Sequence, residues 1–257
     1  MPRDTERVEA VRYRAVAEIR RRARLMLVAG DSWYADVETD YCSYDYEVVP
    51  GMQLAGWVEQ RKILGGSTHI LELFGSAVMF GTRVLEYVDS LTGVRLLNTD
   101  DRIAEYVENE DPVRQENVLA NLRFNNRDVI EGDLFAGRTW KGLERSMEAR
   151  QIPGFDLIVC RPCGVFMFDP PEDMGLSEAG EVYSPIFIEG LRRSAEVLAQ
   201  DGIIMSTVPD ILVRTSGGEI RFIPLLTNAA DYQDQLNEIG LGLALTMDRW
   251  VRVMKNR

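Results

Sequence analysis

Residues 67–81, STHILELFGSAVMFG, constrain the fold of this chain more than any other stretch. A nearly continuous apolar run at 68–73 carries an acid, Glu72, near its end, and small residues follow at Gly75, Ser76 and Ala77. The apolar spacing then changes from strand-like to helical. An uninterrupted apolar strand is one buried on both faces, which calls for helices above and below a parallel sheet. A strand that feeds a helix through a small-residue turn is the corner where such open sheets bind phosphates or nucleosides. The turn is poor in glycine for that task.

The rest of the chain continues the alternation, which predicts an α/β fold with a doubly wound, mostly parallel sheet. The expected strands are 68–73, 94–98, 128–131, 155–160 and 203–208, with a closing hairpin of 241–246 and 250–254. Helical spacing covers 81–91, 101–107, 111–122, 141–150, 185–199 and 229–239, and residues 161–180 form a proline-rich loop. Residues 65–257 make up this sheet domain, and residues 1–64 precede it as an N-terminal helical extension.

That extension divides in two. Residues 6–28 place Val8, Val11, Ala15, Ile19, Ala23 and Leu27 on one stripe, with Arg7, Arg12, Arg14, Arg20, Arg21, Arg22 and Arg24 elsewhere around the helix. The expectation is a helix packed by its stripe, with a basic surface as a candidate contact for an acidic partner. Residues 31–49 interleave Trp33, Tyr34, Tyr41, Tyr44 and Tyr46 with six acids, a pattern suited to a substrate lid or to a tyrosine-anchored connection. Another helix is expected at 51–64.

Composition removes several function classes. One histidine, His69, makes Ser-His-Asp and Cys-His triads and multi-histidine metal sites improbable, and its position at a strand entrance suits a structural role. Three cysteines do not make a disulfide framework. A net charge of −12 opposes nonspecific adhesion to nucleic acid. No run reaches membrane-spanning length and the first residues lack a signal-peptide core, so a cytoplasmic location and no membrane contact are expected.

HILELFGSA, LLNTDD, VIEGDLF, FDLIVCRPCG, LAQDGIIMSTVP and GLALTMDRWVRVMK, in this order, resemble the class I S-adenosylmethionine-dependent methyltransferases over about residues 65–257. The resemblance implies a seven-stranded sheet whose last strand is antiparallel. It also implies S-adenosylmethionine as cofactor. Glu72 would orient the amino-acid end of that cofactor, with Phe74, Gly75 and Ser76 in the turn beneath it. Asp100 or Asp101 would accept the ribose hydroxyls, since a carboxylate can take two vicinal donors. Asp133 would receive the adenine amino group.

Two departures stand out. Where the family has an acid followed by alternating glycines, this chain has Phe74, Ser76 and Val78. Val78 is the awkward one: a β-branched residue resists positive φ and crowds the turn, so the turn follows another path or cofactor binding is weakened. Where many members have Asn-Pro-Pro-Tyr after the fourth strand, this chain has Arg161-Pro162-Cys163-Gly164. Arginine offers only donors and glycine cannot stack, which argues against amide or base methylation. Arg161 suits an anionic substrate group or a salt bridge to loop acids, and Arg161 with Pro162 are the substrate-positioning candidates. Cys160 and Cys163 form a CxxC without a second pair or a nearby histidine.

The expectation is an in-line methyl transfer that relies on positioning, with the acceptor (protein, RNA or small molecule) unassigned. A catalytically degenerate scaffold or regulatory subunit of the same fold is the first rival. A nicotinamide-dependent oxidoreductase is the second, weakened by the missing glycine fingerprint.

Overall fold

A computed structural model of the chain describes residues 2–28, 53–78, 80–96, 112–160, 166–214, 218–225, 230–247 and 250–256. The main sheet contains β1 (His69–Leu73), β2 (Ser90–Arg95), β3 (Arg127–Glu131), β4 (Phe155–Cys160), β6 (Leu198–Thr207), β9 (Leu241–Met247) and β10 (Trp250–Lys255), in the order β3-β2-β1-β4-β6-β10-β9. The first five of these pair in parallel. β10 runs antiparallel to both β6 and β9, between which it lies. Strand order therefore reverses at β1 and β4, the switch point at which doubly wound sheets open a crevice.

Alternation along each strand feeds two cores. Leu71, Leu73, Ile158, Cys160 and Ile204 face one, with helices α1 (Pro2–Val28), α5 (Gly137–Ala149), α6 (Leu176–Val197) and α7 (Ala230–Glu238). Ile70, Leu157, Val159, Ile203 and Met205 face the other, with α2 (Leu54–Ile63), α3 (Thr82–Leu85) and α4 (Pro112–Arg123). The N-terminal stripe behaves as its spacing predicts. Val11 and Ile19 are buried in the first core and Val8, Ala15 and Ala23 pack against that core, while the Leu27 side chain lies outside what is described. Burying a Val or Ile side chain contributes about 1.5–3 kcal/mol.

Several boundaries move. β2 begins at Ser90 rather than at 94, and the helix expected over 81–91 shrinks to Thr82–Leu85. Gly93 reads as punctuation in the sequence, yet it is a strand residue whose missing side chain makes room for a crossing turn. α6 starts at Leu176 rather than at 185 and runs through Pro185. Its buried face, including Ala179, Val182, Tyr183, Phe187 and Leu191, holds the helix despite the donor that proline lacks. The proline-rich loop contains β5 (Met167–Phe168), which joins β7 (Asp210–Arg214) and β8 (Ile220–Pro224) in a second sheet, ordered β5-β7-β8, that the sequence reading lacks. Ser216-Gly217-Gly218 between two β-branched runs is the hairpin signal for that sheet.

Candidate functional site

The turn after β1 is held from three strands. The Glu72 carboxylate, 6 % exposed, folds back and accepts the Ala77 N–H through Oε2 at 2.6 Å. It lies where a side chain on Gly75 would go: an added Cβ there falls 2.1 Å from the carboxylate carbon. From β2, Gly93 lets the turn cross its backbone, since a Cβ at 93 would sit 2.7 Å from the Gly75 carbonyl oxygen. Arg95, 3 % exposed, donates from its guanidinium to the Ser76 hydroxyl, and Arg127 of β3 donates through Nε to the Ser76 carbonyl at 3.0 Å. Sequence reasoning missed both arginines. Arg95 carries a signal, because a charged residue inside a buried apolar strand requires partners.

The conformation of the turn shows where its left-handed residues fall. Positive φ falls on Phe74 (64°) and Ala77 (53°) and not on Val78, which is fully buried in the second core. The turn takes a different path from the one that made Val78 a liability.

Left-handed backbone at Phe74 also redirects its side chain. Strict alternation would send residues 73 and 74 to opposite faces, but both Leu73 and Phe74 join the first core. There the Phe74 ring meets Phe135 edge-on, with centroids 6.5 Å apart, and Phe166 at 6.1 Å. Phe135 and Phe166 pack edge-on at 6.1 Å, closing a three-ring cluster at the switch point. Under the cluster lies a cavity of about 120 Å³ between the strand ends, α5 and α6.

Asp133 stands just beyond β3. Its Oδ1 accepts the Phe135 N–H at 2.9 Å, and its Oδ2 accepts Arg20 Nε at 2.6 Å. The Arg20 guanidinium also lies 5.8 Å from the centroid of the Phe135 ring. Other arginines of α1 are likewise engaged within the chain. Arg12 donates to the Val182 carbonyl at 2.7 Å, Arg22 donates to the Met167 carbonyl at 2.6 Å, and Arg7 pairs with Asp173 at 2.7 Å. Arg21 turns to Glu18 on its own helix. The basic stripe is thus largely a fastening of α1 to α6, β5 and the loop after β3.

The structure brings together Glu72, Phe74, Gly75 and Ser76 in one turn, with Asp133 at the end of β3. Asp100, Asp101, Arg161, Pro162, Cys163, Gly164 and the aromatic-acidic segment 31–49 lie outside the described residues. Cys160 ends β4, buried, and lines the cavity. Among the described residues no group of His, Cys, Asp and Glu could hold a metal ion, and no helix is long and apolar enough to cross a membrane. His69 sits at the opposite end of β1 from the turn. Its Nδ1 is 2.8 Å from the Ser90 hydroxyl, its backbone N–H donates to Asp156 at 2.8 Å, and burial holds its pKa below the usual imidazole range.

The seven-stranded order, with its last strand running against the others and its switch point beside an acid-closed turn, is the topology that the resemblance to class I methyltransferases implies. No family model matches the sequence, and no curated protein matches it. The chain is similar to several solved structures. One is the 1,6-didemethyltoxoflavin-N1-methyltransferase of Burkholderia thailandensis, at 13% identity over 95% of this chain and 89% of that one, with a TM-score of 0.44. Another is a sugar N-methyltransferase from Streptoalloteichus, at 12% identity over 88% and 92% with a TM-score of 0.42. A third is the magnesium protoporphyrin IX methyltransferase of Synechocystis, at 10% identity over 88% of each chain with a TM-score of 0.41.

Proposed function

We propose that this chain is a methyltransferase that takes its methyl group from S-adenosylmethionine at the carboxyl ends of β1, β2 and β3. The observation that carries the reading is the Glu72–Gly75–Ala77 turn: a buried acid closes a tight backbone loop against Gly93 at the switch point. A side chain at Gly75 would strike the Glu72 carboxylate and one at Gly93 the turn's own backbone, so both glycines hold the acid in place, and the donor set there, a buried carboxylate at a strand end, fits a cationic amino-acid end. Asp133 is the acceptor for the adenine amino group, and the Phe135 ring beside it offers a flat apolar face. Asp100 or Asp101 is the ribose acceptor, and Arg161 with Pro162 position the substrate.

Bound there, the cofactor supplies an electrophilic methyl group on a sulfonium. The chain supplies position and charge. Glu72 contributes negative charge near the cationic amino-acid end. The three phenylalanines give the strand ends an apolar lining, and in-line approach requires no conspicuous base. The acceptor is a protein, an RNA or a small molecule, and a cytoplasmic setting suits three cysteines that make no disulfide framework in the sequence.

A second reading, a non-catalytic scaffold of the same fold, is favoured by one observation: Arg20 already occupies the Asp133 carboxylate. Calorimetry with S-adenosylmethionine and S-adenosylhomocysteine separates the two. Saturable binding that weakens in Glu72→Ala, and less so in Glu72→Gln, which retains an acceptor for Ala77, supports the enzyme. Absence of heat and of any thermal shift at millimolar ligand overturns it in favour of the scaffold.

A further inference from the structure

Helix α6 carries a glycine that packing does not explain. Gly190 lies in the body of the helix, where glycine is the poorest choice after proline. An added Cβ there meets nothing within 4 Å, so no neighbour demands the absence of a side chain. What Gly190 does border is the cavity beneath the phenylalanine cluster. Its exposed neighbours on that border are Glu189 and Gly137, the first residue of α5, whereas Leu73, Cys160 and Ser206 at the other end are buried. The cavity therefore opens to solvent between α5 and α6 and runs inward to the ends of β1, β4 and β6.

Its walls define what can enter. Phe74, Phe135, Phe166 and Trp140 supply aromatic edges and faces. The hydroxyls are turned away from an incoming ligand: Ser194 donates to the Gly190 carbonyl at 2.8 Å and Ser206 to the Thr207 carbonyl at 3.2 Å. At the mouth, Arg193 and Glu189 pair with each other at 3.0 Å. A charged ligand would lose its hydration without gaining a dedicated partner. The volume, about 120 Å³, is close to that of a dry apolar cavity of about 150 Å³ that admits benzene.

We propose that this cavity is a binding site for a small, uncharged, single-ring aromatic molecule, which enters between α5 and α6 past Gly190 and lodges beneath Phe74. The cavity shares Phe74 and Phe135 with the proposed cofactor site, but the argument from its volume and lining does not depend on the methyltransferase reading. Because Phe74 belongs to both, a ring in the cavity presses on the turn from below.

The test uses the full chain with toluene and phenol as neutral probes and benzoate as the charged one, followed by calorimetry and thermal denaturation, with and without S-adenosylhomocysteine. The neutral rings bind saturably and raise the melting temperature; benzoate does neither. Gly190→Leu places a side chain in the mouth and weakens the neutral rings by roughly tenfold or more, the scale of overfilling a packed site. Its melting temperature without ligand is unchanged or higher, because leucine is the better helix former. Gly180→Leu is the control in the same helix, at a position bordering a different groove where a Cβ also meets nothing within 4 Å, and it leaves the affinity unchanged. The proposal is overturned by an absence of saturable binding, by benzoate binding as tightly as phenol, by full affinity in Gly190→Leu, or by equal loss in Gly180→Leu. Cofactor heats measured in parallel keep this outcome distinct from the fate of the methyltransferase reading.

Discussion

Phe74 at φ 64° offers a test of the turn whose sign, and not only its size, is diagnostic. Replacing it with Ala or with Gly removes the same ring contacts with Phe135 and Phe166, so both variants lose the aromatic cluster. They differ in backbone alone. A left-handed residue with a Cβ costs about 1–2 kcal/mol, which glycine avoids. Glycine in turn gives up roughly 0.4–1 kcal/mol through the greater freedom of its unfolded chain. The difference leaves Phe74→Gly more stable than Phe74→Ala by about 1 kcal/mol. At an ordinary strand or loop position the order reverses, with glycine the less stable by about 0.5–1 kcal/mol. Urea denaturation followed by fluorescence, and scanning calorimetry, read this as a melting temperature about 2–4 °C higher for the glycine variant at this chain length. An alanine variant as stable as the glycine variant, or more so, would refute the left-handed turn and with it the account of why Leu73 and Phe74 share a core.

Other expectations follow from the same site. Gly93→Ala drives a Cβ to 2.7 Å from the Gly75 carbonyl oxygen, so the turn must shift; the urea midpoint falls by the equivalent of about 1–3 kcal/mol and cofactor heat weakens with it. Arg20→Met keeps the stem against Phe135 but removes the pair with Asp133, which is partly exposed on the arginine side. The cost is about 1 kcal/mol or less at low salt and shrinks as salt is added, read from denaturation at two ionic strengths. The single histidine gives one pair of imidazole C–H signals in proton NMR, and burial makes it titrate below its unfolded value. His69 therefore contributes stability that is present above about pH 6.5 and is lost as pH falls through the folded value. A signal titrating at or above the unfolded value contradicts that environment. Burial pushes the Tyr183 phenol up to about 12, so its contribution holds below about pH 10 and is lost as pH rises toward 12, followed by phenolate absorbance.

The sheet was legible because uninterrupted apolar strands and the turns between them are local signals. Thr68 to Leu73, FDLIVC and the closing hairpin all emerge within a few residues of their predicted limits. Gly93 and Pro185 misled because each is decided by tertiary packing, one by a turn crossing a strand and the other by a buried helix face that outweighs a lost donor. At the site, Glu72 and Gly75 were legible as chemistry in a pattern. Arg95 and Arg127 were not, because their partner, Ser76, is distant in sequence and brought near only by the register of β1, β2 and β3. The same holds for Arg20, which finds Asp133 across more than a hundred residues. The mismatch at Val78 is real in the pattern, but the backbone it was expected to strain is not there: the left-handed positions fall at 74 and 77.

The placement of β10 inside β9 bears on how the protein is made. A ribosome releases β6 first and β10 roughly 50 residues later, which at about 5–20 residues per second is an interval of several seconds. Throughout that interval β6 presents an unpaired edge, and β9 emerges with no neighbour to receive it. The nascent chain is open to strand exchange with a second nascent chain during that interval. Expression strains slowed in translation across residues 208–255 should therefore accumulate aggregate in proportion to the delay, whereas slowing the first 60 residues should not.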